Sequence, residues 1–368
     1  MKRRRLLAAI AGVTAFGGAS AWYGLRGSDP GTTTQPGRRR WRVPLAEQPD
    51  ALHLAGDTLL ALGSGLTAFD AGTGKVRWRQ DLGVGTILPG RTGTAPFTSD
   101  AGAFAVRAED GGSPVVRVSG LGDGAQRWRR AFEGDLGSVL LTADGTVVTV
   151  ADGAGGRSLV CFDGAGDRWA QPVQAADGPF DLLADAGTVF AAGRELVAYD
   201  AAGGTRKWGV SAAEGCVFGR PAVRGPLVAA LGLQYIDDDY GYRGVAVHGV
   251  EAASGAVRWQ YAPPGAFLQD APPLVAGRGV VAVHESGRLT GLDPGTGEQR
   301  WEYDWDFADI IALGEYVYVA TVDGVAEVDP VSGRRRVQLP EPGAYRLAGA
   351  GTRLCVAAGE TLSAYDAG

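Results

Sequence analysis

The 368-residue sequence predicts an all-β chain rolled into a ring of eight small sheets, and three observations carry that prediction. A strand–turn–strand segment ending in Trp recurs along the chain. Glycine is abundant at 59 residues while Met occurs once, a composition suited to many short strands joined by tight turns. The two ends of the chain carry complementary halves of the recurring segment.

The segment is clearest as LTAFDAGTGKVRW at 66–78. It returns as VVRVSGLGDGAQRW, SLVCFDGAGDRW, LVAYDAAGGTRKW, VAVHGVEAASGAVRW, LTGLDPGTGEQRW and a degenerate GVAEVDPVSGRRRV, where Val337 stands in place of Trp. The Trp residues at 41, 78, 128, 169, 208, 259 and 301 are 37, 50, 41, 39, 51 and 42 residues apart. That is close to the period of roughly 40–45 residues found in propeller blades.

Each part of the segment has a physical reason. The alternating run before Asp70 is a strand with one buried face. In the turn, Asp70 can bond nearby backbone and Gly74 can adopt a positive φ at little cost. The returning strand ends in Trp78, whose broad ring can pack on the next repeat, because a lone four-stranded sheet cannot bury its own face. The sixth repeat shows the full set in order: PPLVAG, GVVAVHE, RLTGLD and QRWEY.

The ends set the count. TLSAYDAG at 361–368 is the first half of the segment, and RRRWRVPL at 38–45, with Trp41, is the second half. Pairing them builds one blade from both ends and leaves no open seam. The expected fold is therefore an eight-bladed β-propeller of four-stranded antiparallel blades over residues 38–368, with Trp41, Trp78, Trp128, Trp169, Trp208, Trp259 and Trp301 as docking residues.

Residues 1–21 read as an export signal peptide: a basic run, an apolar stretch from Leu6, and Ala19-Ser20-Ala21 as a small-x-small cleavage site. Arg3-Arg4-Arg5-Leu6-Leu7 resembles a twin-arginine signal. If the leader stays, residues 6–25 are just long enough to anchor the chain in a membrane. Residues 22–37 read as a flexible linker, and the location expected is extracytoplasmic, secreted or associated with the cell envelope. The formal charge is −6, and losing Lys2, Arg3, Arg4 and Arg5 with the leader leaves −10, which disfavours nucleic acid as a partner. Three cysteines without a close pair point away from disulfides, with Cys161 a small buried thiol.

The recurring segment resembles the pyrroloquinoline-quinone (PQQ) repeat, or tryptophan-docking motif, best at Ala68, Asp70, Thr73, Gly74 and Trp78 and at Asp293, Thr296, Gly297 and Trp301. The resemblance implies a propeller of the kind found in quinoprotein dehydrogenases, in the propeller subunit of the bacterial barrel-assembly machinery, and in sensor domains of bacterial kinases. The dehydrogenases hold their quinone with Ca²⁺, acidic and amide ligands, a catalytic Asp and often an adjacent Cys–Cys disulfide. This chain has no adjacent cysteines and no C-x-x-C-H haem attachment, and no catalytic position of that class carries over. No cofactor is predicted; PQQ and Ca²⁺ lack supporting site residues, and a metal site is left open.

Function is expected on one face, where the second-to-third-strand loops and the connections between blades meet. The insertion GLQYIDDDYGYRG brings Tyr235, Asp237, Asp238, Asp239, Tyr240 and Tyr242. His284 and Glu285 occupy the equivalent loop of the next blade, and the connection after it carries Asp304, Trp305 and Asp306, followed by Asp309. Together they form an expected acidic, aromatic, partner-binding patch, suited to contact area and to steering of cationic or polar partners. DDDYGYRG does not reproduce an EF-hand loop. GTGKVRW lacks the GxxxxGK[ST] phosphate loop, and His53 and His248 lie in strand patterns as packed or surface residues.

The leading expectation is an exported, non-catalytic, monomeric propeller acting as a scaffold for a protein, peptide or envelope polymer. A PQQ- or other cofactor-dependent oxidoreductase is the second reading. A ligand-sensing partner of a membrane kinase is the third.

Overall fold

Strand pairing organises the chain into antiparallel sheets arranged as a propeller. The computed structural model describes residues 37–81, 97–99, 102–110, 113–142, 145–151, 157–173, 181–236, 241–263, 265–267, 273–284 and 287–367. The expected signal peptide, most of the linker and the possible anchor at 6–25 lie outside these residues, as do Asp237, Asp238, Asp239, Tyr240 and Glu285.

Among the described residues there are eight sheets. Seven are each built from one continuous stretch: 51–80, 97–131, 135–173, 181–211, 216–261, 274–304 and 309–339. The other is composite, joining three strands within 344–366 to the strand Arg39–Pro44 from the opposite end. There Arg39 pairs with Tyr365, Trp41 with Ala364 and Pro44 with Thr361. This is the junction of the two ends that the half-segments imply, and we number it the eighth sheet. All are four-stranded except the fifth, whose first strand is broken into Cys216–Phe218 and Ala222–Arg224, both pairing with the same neighbour. The break falls at Gly219-Arg220-Pro221, and Pro221 has no N–H to give to a ladder.

Burial follows position in the sheet. Second strands such as Thr58–Leu62 and Gly279–Val283 are buried on both faces, which is why they read as unbroken apolar runs. Fourth strands are outermost and alternate, as Gln126–Ala131 does. Cys161 and Cys355 are buried and in no disulfide, and burial pushes the Cys355 thiol up to about 12.

The Trp residues lock each sheet to the next. Trp41, Trp78, Trp169, Trp208, Trp259 and Trp301 donate their indole N–H to the carbonyls of Ala71, Leu121, Ala201, Ala252, Pro294 and Pro330, at 2.8–2.9 Å. Each acceptor directly follows the residue that opens the neighbouring sheet's turn (Asp70, Gly120, Asp200, Glu251, Asp293 or Asp329). Trp128 instead meets Phe162 edge-on, with centroids 5.3 Å apart.

The turn is shaped to receive the ring. Gly204 has a φ of 69°, and a Cβ there would lie 2.5 Å from the Trp169 indole. Asp70 shows how the turn is held: its Oδ1 accepts from the Thr73 N–H and hydroxyl, both at 2.8 Å, and its Oδ2 accepts from Arg77 at 2.6 Å. The basic residue before each Trp repeats this ion pair in Arg40–Asp366, Lys207–Asp200, Arg258–Glu251 and Arg300–Asp293. Val337, in the Trp slot of the seventh sheet, packs instead against a buried cluster of the seventh and eighth sheets that includes Tyr365.

Replacing Trp169 by Ala is expected to cost about 3–5 kcal/mol of unfolding free energy. Gly204→Ala should cost about 1–3 kcal/mol through overpacking and backbone strain. Lys207→Ala, in an exposed ion pair, should cost under about 0.5 kcal/mol. Chemical denaturation of the three variants checks that order.

Candidate functional site

Stacking the sheets in a ring points their first strands inward. Stretches at 50–54, 183–185, 220–223, 273–275, 304–312 and 346–349, from six different sheets, line a common cavity of about 1070 Å³. Its wall is largely aliphatic, with Leu52, Leu54, Leu183, Val223, Ile310 and Leu347 among the lining residues. His53, Arg220, Asp309 and Arg346 interrupt it.

Depth sets the charge state of these groups. Burial pushes the His53 imidazole down to about 4, with the Arg220 charge adding to the effect. Burial pushes the Asp309 carboxyl up to about 6, against the lowering effect of its hydrogen bonds and of Arg346. Asp309 accepts from its own neighbour Ile310 and, across the seam, from the Leu347 N–H, each at 2.8 Å, so it ties the seventh sheet to the eighth. Burial also lowers Arg220, with Asp181 opposing. Arg346 is fastened by donating to the carbonyls of Asp50 at 2.6 Å and Tyr345 at 2.8 Å.

The connection from the sixth sheet to the seventh forms part of the cavity rim. Asp304 and Asp306 are exposed there, while Trp305 and Phe307 are half-buried. Trp305 already carries the Arg335 guanidinium 5.4 Å from its ring centroid. His284 lines the same cavity but is buried, at 1% exposure, so it is no part of an exposed surface patch. Its burial comes from local pairing: its N–H donates to the Arg288 carbonyl, and Phe267 bridges it to Gly244. Gly244 sits in the long hairpin of the fifth sheet, where Tyr235 pairs with Tyr242 and is 44% exposed.

The structure thus gathers His284, Asp304, Trp305 and Asp306 at one cavity, and ties the base of the Tyr235 hairpin to His284. Asp237, Asp238, Asp239, Tyr240 and Glu285 lie outside the described residues. Residue patterns missed His53, Arg220 and Arg346 as cavity groups; the one local signal was the Gly-Arg-Pro break that carries Arg220. His248 is packed edge-on against Phe218. Among the described residues no three His, Cys, Asp or Glu side chains stand close enough together to hold a metal ion.

A family model described as outer membrane protein assembly factor BamB matches residues 31–121, 113–237 and 218–364. The chain belongs to the BamB family. A crystal structure of BamB from Moraxella catarrhalis is similar to it, with a TM-score of 0.65 and 16% identity over 89% of this chain and 99% of that one. The computationally designed Ika8 protein matches with a TM-score of 0.60 and 14% identity, covering 88% of this chain and 98% of that one. Quinohemoprotein alcohol dehydrogenase ADHIIG from Pseudomonas putida HK5 matches with a TM-score of 0.58 and 11% identity, over 89% of this chain and 76% of that one. At these identities the likeness to solved structures is one of fold. A search of curated proteins found no match.

Two half-buried groups of this BamB-family cavity should act oppositely on stability. Asp309, raised from 3.8 to about 6, contributes fully below its unfolded value and loses that contribution as pH rises towards 6. His53, lowered from 6.5 to about 4, contributes fully above its unfolded value and loses it as pH falls towards 4. Between pH 4 and 6, Asp309→Asn should make unfolding free energy rise more steeply with pH, and His53→Gln should make it rise less. Each change should be at most about 3 kcal/mol, from roughly two pKa units. Urea titrations across this pH range check both signs.

Proposed function

We propose that this chain is an exported, non-catalytic binding scaffold of the cell envelope, which takes a protein partner on the face where the cavity rim opens. The observation that carries the reading is the meeting of exposed Asp304 and Asp306 with Trp305 and Phe307 at the mouth of an axial cavity. Aromatic rings supply contact area at low entropic cost, and carboxylates steer the approach of a partner. The ring of docked sheets holds these residues on a rigid frame. Membership of a family described as an assembly factor supports a partner-binding role and an envelope location, in line with the leader at 1–21. The proposal includes Asp237, Asp238 and Asp239 on the ground of the sequence pattern alone.

Immobilised protein exposed to envelope extract should retain a partner that the Asp304→Asn/Asp306→Asn variant captures several-fold less, with an unchanged melting temperature. Replacing Asp237, Asp238 and Asp239 by Asn should have the same direction of effect. Equal capture by wild type and both variants would remove this face from consideration.

A second reading, a quinone-dependent oxidoreductase, draws on the likeness in fold to a quinohemoprotein alcohol dehydrogenase. Titrating the protein with PQQ and Ca²⁺ is expected to give no saturable change in quinone absorbance. A saturable change would reverse the order of the two readings.

A further inference from the structure

Two guanidinium groups from different sheets meet at the start of one strand in the axial cavity. Arg220 enters from the fifth sheet and Arg346 from the eighth, and both line the wall while only half-buried. Arg346 donates its Nε–H to the carbonyl of Asp50, the residue directly before the first-sheet strand Ala51–Ala55, at 2.6 Å. Arg220 comes close enough to His53, in the middle of that strand, for its charge to lower the imidazole's proton affinity. The break in the fifth sheet allows this reach, because Arg220 stands between Cys216–Phe218 and Ala222–Arg224 and belongs to neither.

The charge of Arg346 is held by dipoles. Its Nε and Nη1 donate to the carbonyls of Asp50 and Tyr345, and its Nη2 makes no hydrogen bond among the described residues. Asp309, whose carboxyl feels that charge, already accepts the Ile310 N–H on one oxygen and the Leu347 N–H on the other. Asp181 offsets part of the Arg220 charge, against the burial that disfavours it. His53 is neutral above about pH 4 and adds no charge there.

The surroundings specify the rest of a ligand. Leu183, Val223, Ile310 and Ile311 are half-buried and line the same cavity. A guanidinium beside apolar surface loses hydration, and a carboxylate that matches its fork restores those contacts. A preformed cavity of about 1070 Å³ with an aliphatic wall and a few convergent polar groups has the form of a small-molecule site. Asp304 and Asp306, exposed on its rim, repel a multiply charged anion more strongly than a singly charged one.

We propose that the axial cavity binds a small aliphatic monocarboxylate, its carboxylate taken by Arg346 and Arg220 and its hydrocarbon tail laid against Leu183, Val223, Ile310 and Ile311. This small-molecule site is separate from the protein-partner surface at the rim, and neither requires the other.

The test is calorimetric titration of the full-length protein with octanoate, with its uncharged isostere octanamide, and with acetate, which lacks the tail. Octanoate should bind at least about tenfold more tightly than either. Arg346→Met and Arg220→Met, which keep much of the side-chain bulk, should each weaken octanoate binding by about tenfold. Arg346→Lys, which keeps the charge without the fork, should retain part of the affinity. Octanamide or acetate binding as tightly as octanoate, no binding of octanoate by the wild type, or undiminished binding by both Met variants would overturn the proposal. Should the variants fail to fold, NMR of the wild-type imidazoles decides, since the chain has only three histidines. Saturating octanoate should shift the His53 ring resonances while octanamide leaves them in place, and an unmoved His53 defeats the proposal. If octanoate fails while envelope capture still depends on Asp304 and Asp306, this inference falls and the partner-binding reading stands.

Discussion

The seating of a Trp indole from one sheet on the glycine-containing turn of the next is the contact on which this molecule depends. It satisfies two demands at once. The ring covers apolar surface that a four-stranded sheet cannot bury alone, and its N–H finds a carbonyl placed directly after the residue that opens the turn. Only glycine fits beneath the ring: at Gly204, Gly255 and Gly297 a Cβ would come within 2.7 Å of the indole. Repetition of one local contact therefore sets the angle between successive sheets.

Closure follows from the same unit divided between the ends of the chain. Trp41 comes from the strand at 39–44 and seats on the first sheet through Ala71, so the strand that clasps the eighth sheet also docks the first. The seam without a Trp, between the seventh and eighth sheets, is held differently. Val337 packs near Tyr365, whose hydroxyl donates to the fully buried Glu341, with Arg39 and Arg42 each 3.9 Å from that carboxylate. Asp309 adds a second tie across this seam by accepting from Leu347. The seam thus uses polar contacts where the others use an aromatic ring.

A closed ring brings first strands from distant parts of the chain to one axis, and the cavity there is where chemistry and recognition can occur. Similar rings are found in a BamB, in a designed protein and in a quinohemoprotein alcohol dehydrogenase, at 11–16% identity. The frame is indifferent to function, so the side chains around the axis must decide it. In this chain they are an aliphatic wall, a few groups whose proton affinity burial has moved, and an acidic, aromatic rim. That combination favours holding a partner over turning over a substrate.

The residue pattern by itself determined the strands, the turns, the docking Trp residues and the pairing of the two ends, because each is encoded within a dozen neighbouring residues. Asp70, Gly74 and Trp78 carry their roles in their spacing alone. The acidic rim at Asp304 and Asp306 was also legible, since connections between sheets open on one face. Only the tertiary structure decided that His284 is a buried wall residue, and that His53, Arg220 and Arg346 meet Asp309 at the axis. Those residues lie in separate sheets, and no local spacing encodes a meeting that arises when docked sheets close a circle. The charge states of His53 and Asp309 were hidden for the same reason, because desolvation depends on what surrounds a group in space.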